Sequence, residues 1–233
     1  MDMQTGVLSA LGWWQEAGID MLVDDAPRDW LRPIAPAAPA PAAIPDPTPD
    51  PLPATIAALH ARLAAPGLVA NAVSPPIPPS GDLASGLMLL TDMPESGDAA
   101  AGELLTGDAG RLLDRMLAAI GRDRAAVYLA AIAPARPAGG RIAAEAVGEL
   151  DRLALQHVIL AQPKLLLLLG DAPARAILGL SLAEARGRIH DLNQHGATVR
   201  VVATFPPRHL LREQGAKAKA WDDLRMLLGE MTR

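Results

Sequence analysis

Cysteine is absent from this chain, and phenylalanine and tyrosine occur once each. Without cysteine there is no disulfide, no thiolate nucleophile and no thiolate-held zinc or iron–sulfur cluster. Aromatics make up only 3% of the 233 residues, so alanine and leucine must fill the interior, as suits helices packed on a small sheet. No apolar run reaches the roughly 20 residues of a membrane span. Met1–Gly6 has no basic segment leading into an apolar core, as a secretory signal would. These absences lead to the expectation of a cytoplasmic protein without a membrane partner. Half the residues are apolar, and 24.3 kDa is enough for one sizeable core.

A net charge of −5 is not that of a general nucleic-acid binder, but the charge is unevenly spread. Met1–Asp50 holds eight acids against two bases, whereas Arg186–Arg225 holds eight bases against four acids. A phosphate-facing C-terminal surface and ordinary solvated helix faces both fit that distribution.

Three segments follow from composition. Residues 1–31 read as a helical piece with Trp13, Trp14 and Trp30 and an acidic turn, suited to docking on its own domain or on a partner. Residues 32–54 form a Pro/Ala-rich linker, with nine prolines between Arg32 and Pro53 that forbid a helix or an internal strand. Residues 55–233 form an α/β domain. It opens with a helix over Thr55–Ala65, and strands and helices alternate from Leu87 onward. Strands are expected at Leu87–Leu90, Val127–Ala133, Lys164–Gly170 and Val199–Phe205. Helices are expected over 109–120, Ala143–Gln162, Asp171–Leu178 and Ala216–Met231. The fold class is therefore α/β: a three-layer α/β/α sandwich with a central four-stranded parallel sheet and right-handed crossovers. Loops beginning at Asp92, Pro134, Gly170 and Pro206 leave the carboxyl ends of those strands, where open parallel sheets build their sites.

Five segments in order carry a family resemblance. TDMPESGDAAAGELLTGDAGRLLD runs alongside GEAPGxxED followed by GxPFVGxAGxLLD, and AAIGRDRAAVYLAAIAPARP is similar to AIGLDREDVYITNVVKCRPP. QPKLLLLLGDAPARAILG matches RPKVIVALGxxAAxxLLG, and ARGRIH with VRVVATFPPRHLLR matches LRGR with VxxTYHPAALLR. KAKAWDDLRML matches a C-terminal K..AWxDLxxL helix. Over about Leu87–Leu228 the chain thus resembles the uracil-DNA glycosylase superfamily, and within it the iron–sulfur (family 4-like) branch.

The resemblance implies a site and also departures from it. Asp92 falls on the catalytic acid and Pro94 on the proline of the same loop, with Met93 between them. Leu105 stands where an aromatic stacks on the extruded base, Ala131 where an Asn reads its edge, and Pro206 where a His meets the departing base. Ala135 and Leu150 occupy two cluster-cysteine positions, so neither metal nor cofactor is expected. His209, His190 or backbone amides near Pro207 remain as substitute donors, and Gly170 and Phe205 complete the base-binding set. Arg186, Arg188, Arg208 and Arg212 are the expected phosphate contacts, binding DNA without reading its sequence.

The function implied is a uracil-DNA glycosylase-like repair protein, hydrolysing the N-glycosidic bond of uracil or a related damaged base with weak activity. The alternative is a degenerate relative that binds DNA or a partner without catalysis. A third reading is a hydrolase of a small nucleotide-like substrate.

Overall fold

A run of five apolar residues can be covered on both faces only inside a parallel sheet. Leu165–Leu169 is such a run, Leu87–Thr91 is one of four apolar residues closed by a threonine, and every side chain of both is buried. The computed structural model describes residues 13, 16, 50–194 and 196–232. Most of the expected N-terminal helical segment and linker lies outside the described residues. The elements in chain order are α1 (Ile56–Ala64), β1 (Ser80–Gly81), β2 (Leu87–Thr91), α2 (Asp98–Ala101), α3 (Gly107–Ala119), β3 (Tyr128–Ala131) and α4 (Ala144–Ala161). They continue as β4 (Leu165–Leu169), α5 (Asp171–Leu178), α6 (Leu182–Ala185), β5 (Ile189–Gln194), β6 (Ala197–Thr204), α7 (Pro207–Arg212) and α8 (Ala216–Met231).

The sheet has six strands in the order β1-β3-β2-β4-β6-β5. Its four central strands are parallel, as the sequence predicts, with Leu89 level with Leu129 on one side and Leu167 on the other. The antiparallel edges β1 and β5 are additions to that expectation. β1 is two residues long, and β5 (IHDLNQ) is polar enough to read as loop, gaining its strand character from pairing with β6.

Alternation along the strands creates the two outer layers. Met88, Leu90, Leu166 and Leu168 face a core shared with α1, α4 and α5. Leu87, Leu89, Leu165 and Leu167 face a second core built from α3 and α8. The end of the proline-rich stretch is fastened to this body. Asp50 accepts from Arg62 at 3.2 Å, and the Pro53 carbonyl accepts from Gln156 at 2.8 Å.

α1 is tied to the first core through a polar chain. Tyr128 on β3 places its hydroxyl 2.8 Å from His60 Nε2 and 2.7 Å from His157 Nε2 on α4. The hydroxyl has one proton to give, so one of the two imidazoles must present an N–H to it. Burial raises the Tyr128 phenol well above its ordinary value and lowers His60. His157 is pushed down to about 4, first by burial and then by its neighbour His60.

The unfolded chain takes up the His157 proton at the ordinary value of 6.5, whereas the folded chain resists until about 4. Between those values the folded state binds fewer protons, so stability falls as pH drops through that window. The loss expected of this one group is about 3 kcal/mol at full extent. Thermal unfolding from pH 7 to pH 4.5 checks this: His157→Gln should give a visibly flatter dependence than wild type, and equal slopes would exclude the assignment.

Candidate functional site

In this strand order the chain leaves β2 toward β3 and then returns past it to β4, so the direction of winding reverses between β2 and β4. A crevice opens at such a reversal beyond the carboxyl ends of the strands. One is found there. It has a volume of about 780 Å³, and Asp92 after β2, Gly170 after β4, and Phe205 and Pro206 after β6 line it. The volume lies within the roughly 300–1,000 Å³ usual for small-molecule sites. Gly170 has φ 117°, a backbone conformation that residues with a side chain rarely adopt, so glycine permits the turn that begins beside the Pro206 ring.

Asp92 is nearly buried and does not face the crevice as a bare acid. Arg208, on the first turn of α7, grips both of its oxygens: Nη1 donates to Oδ1 at 2.8 Å and Nη2 donates to Oδ2. The same Nη1 donates to Glu95 at 3.2 Å. The bond from Asp92 leads the causes that raise the Arg208 guanidinium above its already high value, so the arginine is permanently charged. Such two-pronged pairing is the strongest carboxylate–arginine geometry.

The loop bearing Asp92 is held by a second acid that sequence reading passed over. Asp98 is fully buried and accepts from the backbone N–H groups of Glu95 (2.7 Å), Leu105 (2.8 Å) and Thr106 (2.7 Å), and from the Thr106 hydroxyl (2.6 Å). Arg136, from the loop after β3, donates to the Pro94 carbonyl at 2.8 Å. These bonds fix the turn without using Asp92.

The β6 side of the crevice is a stack of flat groups. The Arg186 guanidinium lies 4.1 Å from the Phe205 ring centre, and the His209 ring stacks on Phe205 at 4.9 Å. Arg186 is anchored by two bonds to Asp223 Oδ2 on α8, at 2.9 and 2.7 Å, and the Thr204 hydroxyl donates to the same oxygen at 2.8 Å. Asp223 is fully buried, and its Oδ1 has no hydrogen-bond partner among the described residues.

Of the residues expected from the sequence, Asp92, Gly170, Phe205, Pro206, Arg208, His209 and Arg212 line one crevice. Others do not. Leu105 is fully buried in the core beside α3, so it offers no stacking face to the crevice. Gly110 of α3 packs so tightly there that a Cβ would fall 2.0 Å from the Leu105 carbonyl. Ala131 is buried in that same core, Met93 lies in the other, and the buried Pro94 contributes its carbonyl to Arg136. Arg186 is committed to Asp223 and Phe205, whereas Arg188 is exposed. His190 lies on β5, bonded to the Ala185 carbonyl at 2.8 Å.

The crevice also contains residues that sequence reading did not select. Arg141 and Ile142 come from the loop after β3, and Asp171, Ala172 and Leu182 from α5 and α6. Asp171 is lowered below the usual carboxylate range, first by the backbone N–H of Leu182 and then by Arg175. Arg141 and Arg212 are both exposed and form no ion pair among the described residues.

The profile of the uracil DNA glycosylase superfamily matches residues 78–225. The chain belongs to that superfamily. It is also similar to the type-4 uracil-DNA glycosylase of Archaeoglobus fulgidus, at 25% identity over 142 residues, covering 58% of this chain and 71% of the relative. The crevice at the β2/β4 reversal is thus part of a superfamily fold.

A cluster of the kind expected in the iron–sulfur branch does not fit this chain. Ala135 and Leu150, at two of the ligand positions, are buried apolar side chains in the first core, and the described residues bring no three acids or histidines together as a metal site.

Asp223 supports the Arg186–Phe205–His209 wall from within, and breaking a buried ion pair on one side typically costs about 3–5 kcal/mol. Asp223→Ala is expected to lose stability in that range, read by urea unfolding. A loss below about 1 kcal/mol, the size of an exposed pair, would contradict the anchoring role.

Proposed function

We propose that this protein is a DNA-repair glycosylase of low intrinsic activity, taking an extruded uracil or related damaged base into the crevice with Asp92 as its catalytic acid. The observation that carries this reading is the position of Asp92. It is a carboxylate at the winding reversal of a superfamily fold, in a loop whose sequence resembles the GEAPGxxED string.

Extruding a nucleotide costs a few kcal/mol and is repaid by stacking and edge contacts in the pocket. Here the aromatic surface is the Phe205–His209 stack in place of Leu105. As the C1′–N bond breaks, its electron pair goes to the base and positive charge develops on the sugar. Water then adds its oxygen to C1′ and gives a proton to Asp92, and that proton leaves with the base or to solvent.

The departing base needs a hydrogen-bond donor, and the imidazole that the resemblance implies at position 206 is replaced by a proline. Pro206 and Pro207 supply no N–H, which leaves His209 as the imidazole lining the crevice among the described residues. A missing donor of this kind typically costs about 10²–10³ in rate, which accounts for the low activity proposed. Arg212, Arg141 and Arg188 are the residues proposed to meet the DNA backbone.

The second reading is a relative that binds DNA or a repair partner without cleaving it. Its support is the Arg208 guanidinium on both Asp92 oxygens and the loss of the donor at Pro206.

Abasic product from uracil-, hypoxanthine- and xanthine-containing single and double strands decides between them. The glycosylase reading predicts slow product from wild type and a loss of about 10²–10⁴ in rate for Asp92→Asn. Product unchanged by that substitution contradicts the role of Asp92. DNA retention without product from any substrate gives the answer to the second reading.

A further inference from the structure

We propose that Arg208 is a phosphate-sensing positioning residue. A backbone phosphodiester of the bound DNA takes its guanidinium away from Asp92, so the acid is released only when a strand is seated. The proposal rests on the reading of this protein as a DNA-binding member of its superfamily, and adds a control to the same site.

Three observations lead to it. First, both Asp92 oxygens and a Glu95 oxygen engage one guanidinium, and Asp92 also receives the Thr91 hydroxyl at 3.4 Å. A carboxylate so occupied has little capacity to orient water. The fixed positive charge beside it also opposes the sugar cation that the reaction develops. The pair as it stands is a resting state.

Second, the two partners are unequally exposed. The Asp92 side chain is 10% exposed and that of Arg208 is 33% exposed, so an anion entering the crevice reaches the arginine before the acid. Arg141 and Arg212 line the same crevice without ion-pair partners among the described residues, and they attract such an anion.

Third, a guanidinium fork fits phosphate as well as carboxylate, and exchanging one for the other needs only a side-chain swing. The backbone around it is firm. Pro206 and Pro207 start α7 with fixed φ, Leu210 is buried, and Asp98 pins the Asp92 loop independently of Arg208. The movable part is the arginine side chain.

The test is a double-mutant cycle on binding, which needs no catalysis. A labelled single-stranded oligonucleotide containing one uracil is titrated against wild type, Asp92→Asn, Arg208→Gln and the double variant, at several salt concentrations. Asp92→Asn keeps the shape of the side chain and removes the competitor, so it is expected to tighten binding about tenfold, within the range of coupling found for contacting charges. In the Arg208→Gln background that gain should shrink to less than about twofold. Arg208→Gln alone should weaken binding and reduce the salt slope by about 0.7, the contribution of one phosphate contact on a single strand.

An oligonucleotide with neutral methylphosphonates beside the uracil should erase the gain from Asp92→Asn without any change to Arg208. Inorganic phosphate at millimolar concentration, added without DNA, should not protect Arg208 from guanidinium-modifying reagents as the oligonucleotide does. An equal gain from Asp92→Asn in both backgrounds would mean simple repulsion between carboxylate and DNA, and overturns the exchange. So does an unchanged salt slope in Arg208→Gln, or protection by phosphate alone. If no variant binds DNA, the functional reading falls and the exchange with it; if DNA binds but the cycle is additive, the exchange alone falls.

Discussion

The burial of β2 and β4 on both faces is the constraint from which the rest of this structure follows. All five side-chain positions on each of these two strands are buried, so chemistry-bearing residues are pushed to the strand ends. Because the winding reverses between these two strands, the connections that follow them leave in opposite directions and open a crevice beyond the paired tips. Asp92 and Gly170 are the first residues past each tip, and both line it.

What fills the crevice departs from a simple glycosylase pocket. The stacking surface lies on the β6 side, where Arg186, Phe205 and His209 form a layered wall held from behind by Asp223. The acid is covered by an arginine from the first turn of α7, which joins the two halves of the site by charge. A half-buried pair of this kind is weak grounds for stability. The arginine lies over the one acid of the loop after β2 that lines the crevice.

Much of the fold was legible in the sequence because its signals are local. The bounds of α5 and α8 follow from their periodicity, and the LLLLL run of β4 can only be a covered parallel strand. Asp92 was legible for the same reason, as the first polar acid after a buried strand. β5 was not, since its polar residues become a strand only by pairing with β6. Arg208 was read as a free phosphate contact because its partner lies 116 residues away in sequence. Leu105 was placed in the pocket by its register. Arg124 holds the Leu104 and Leu105 carbonyls, and with the close approach of Gly110 this draws the residue into the core instead. Asp98 looks like one more acid in a small-residue loop until its four bonds are seen.

The central claim is that a nucleobase occupies the crevice with the backbone phosphate on the Arg208 side. A crystal structure with a single-stranded oligonucleotide carrying a non-cleavable 2′-fluorinated deoxyuridine tests it most directly. The account predicts the uracil ring beside Phe205 and His209, a phosphate on Arg208, and Asp92 freed toward C1′. A base bound elsewhere, or a seated base with Arg208 still gripping both Asp92 oxygens, would contradict it.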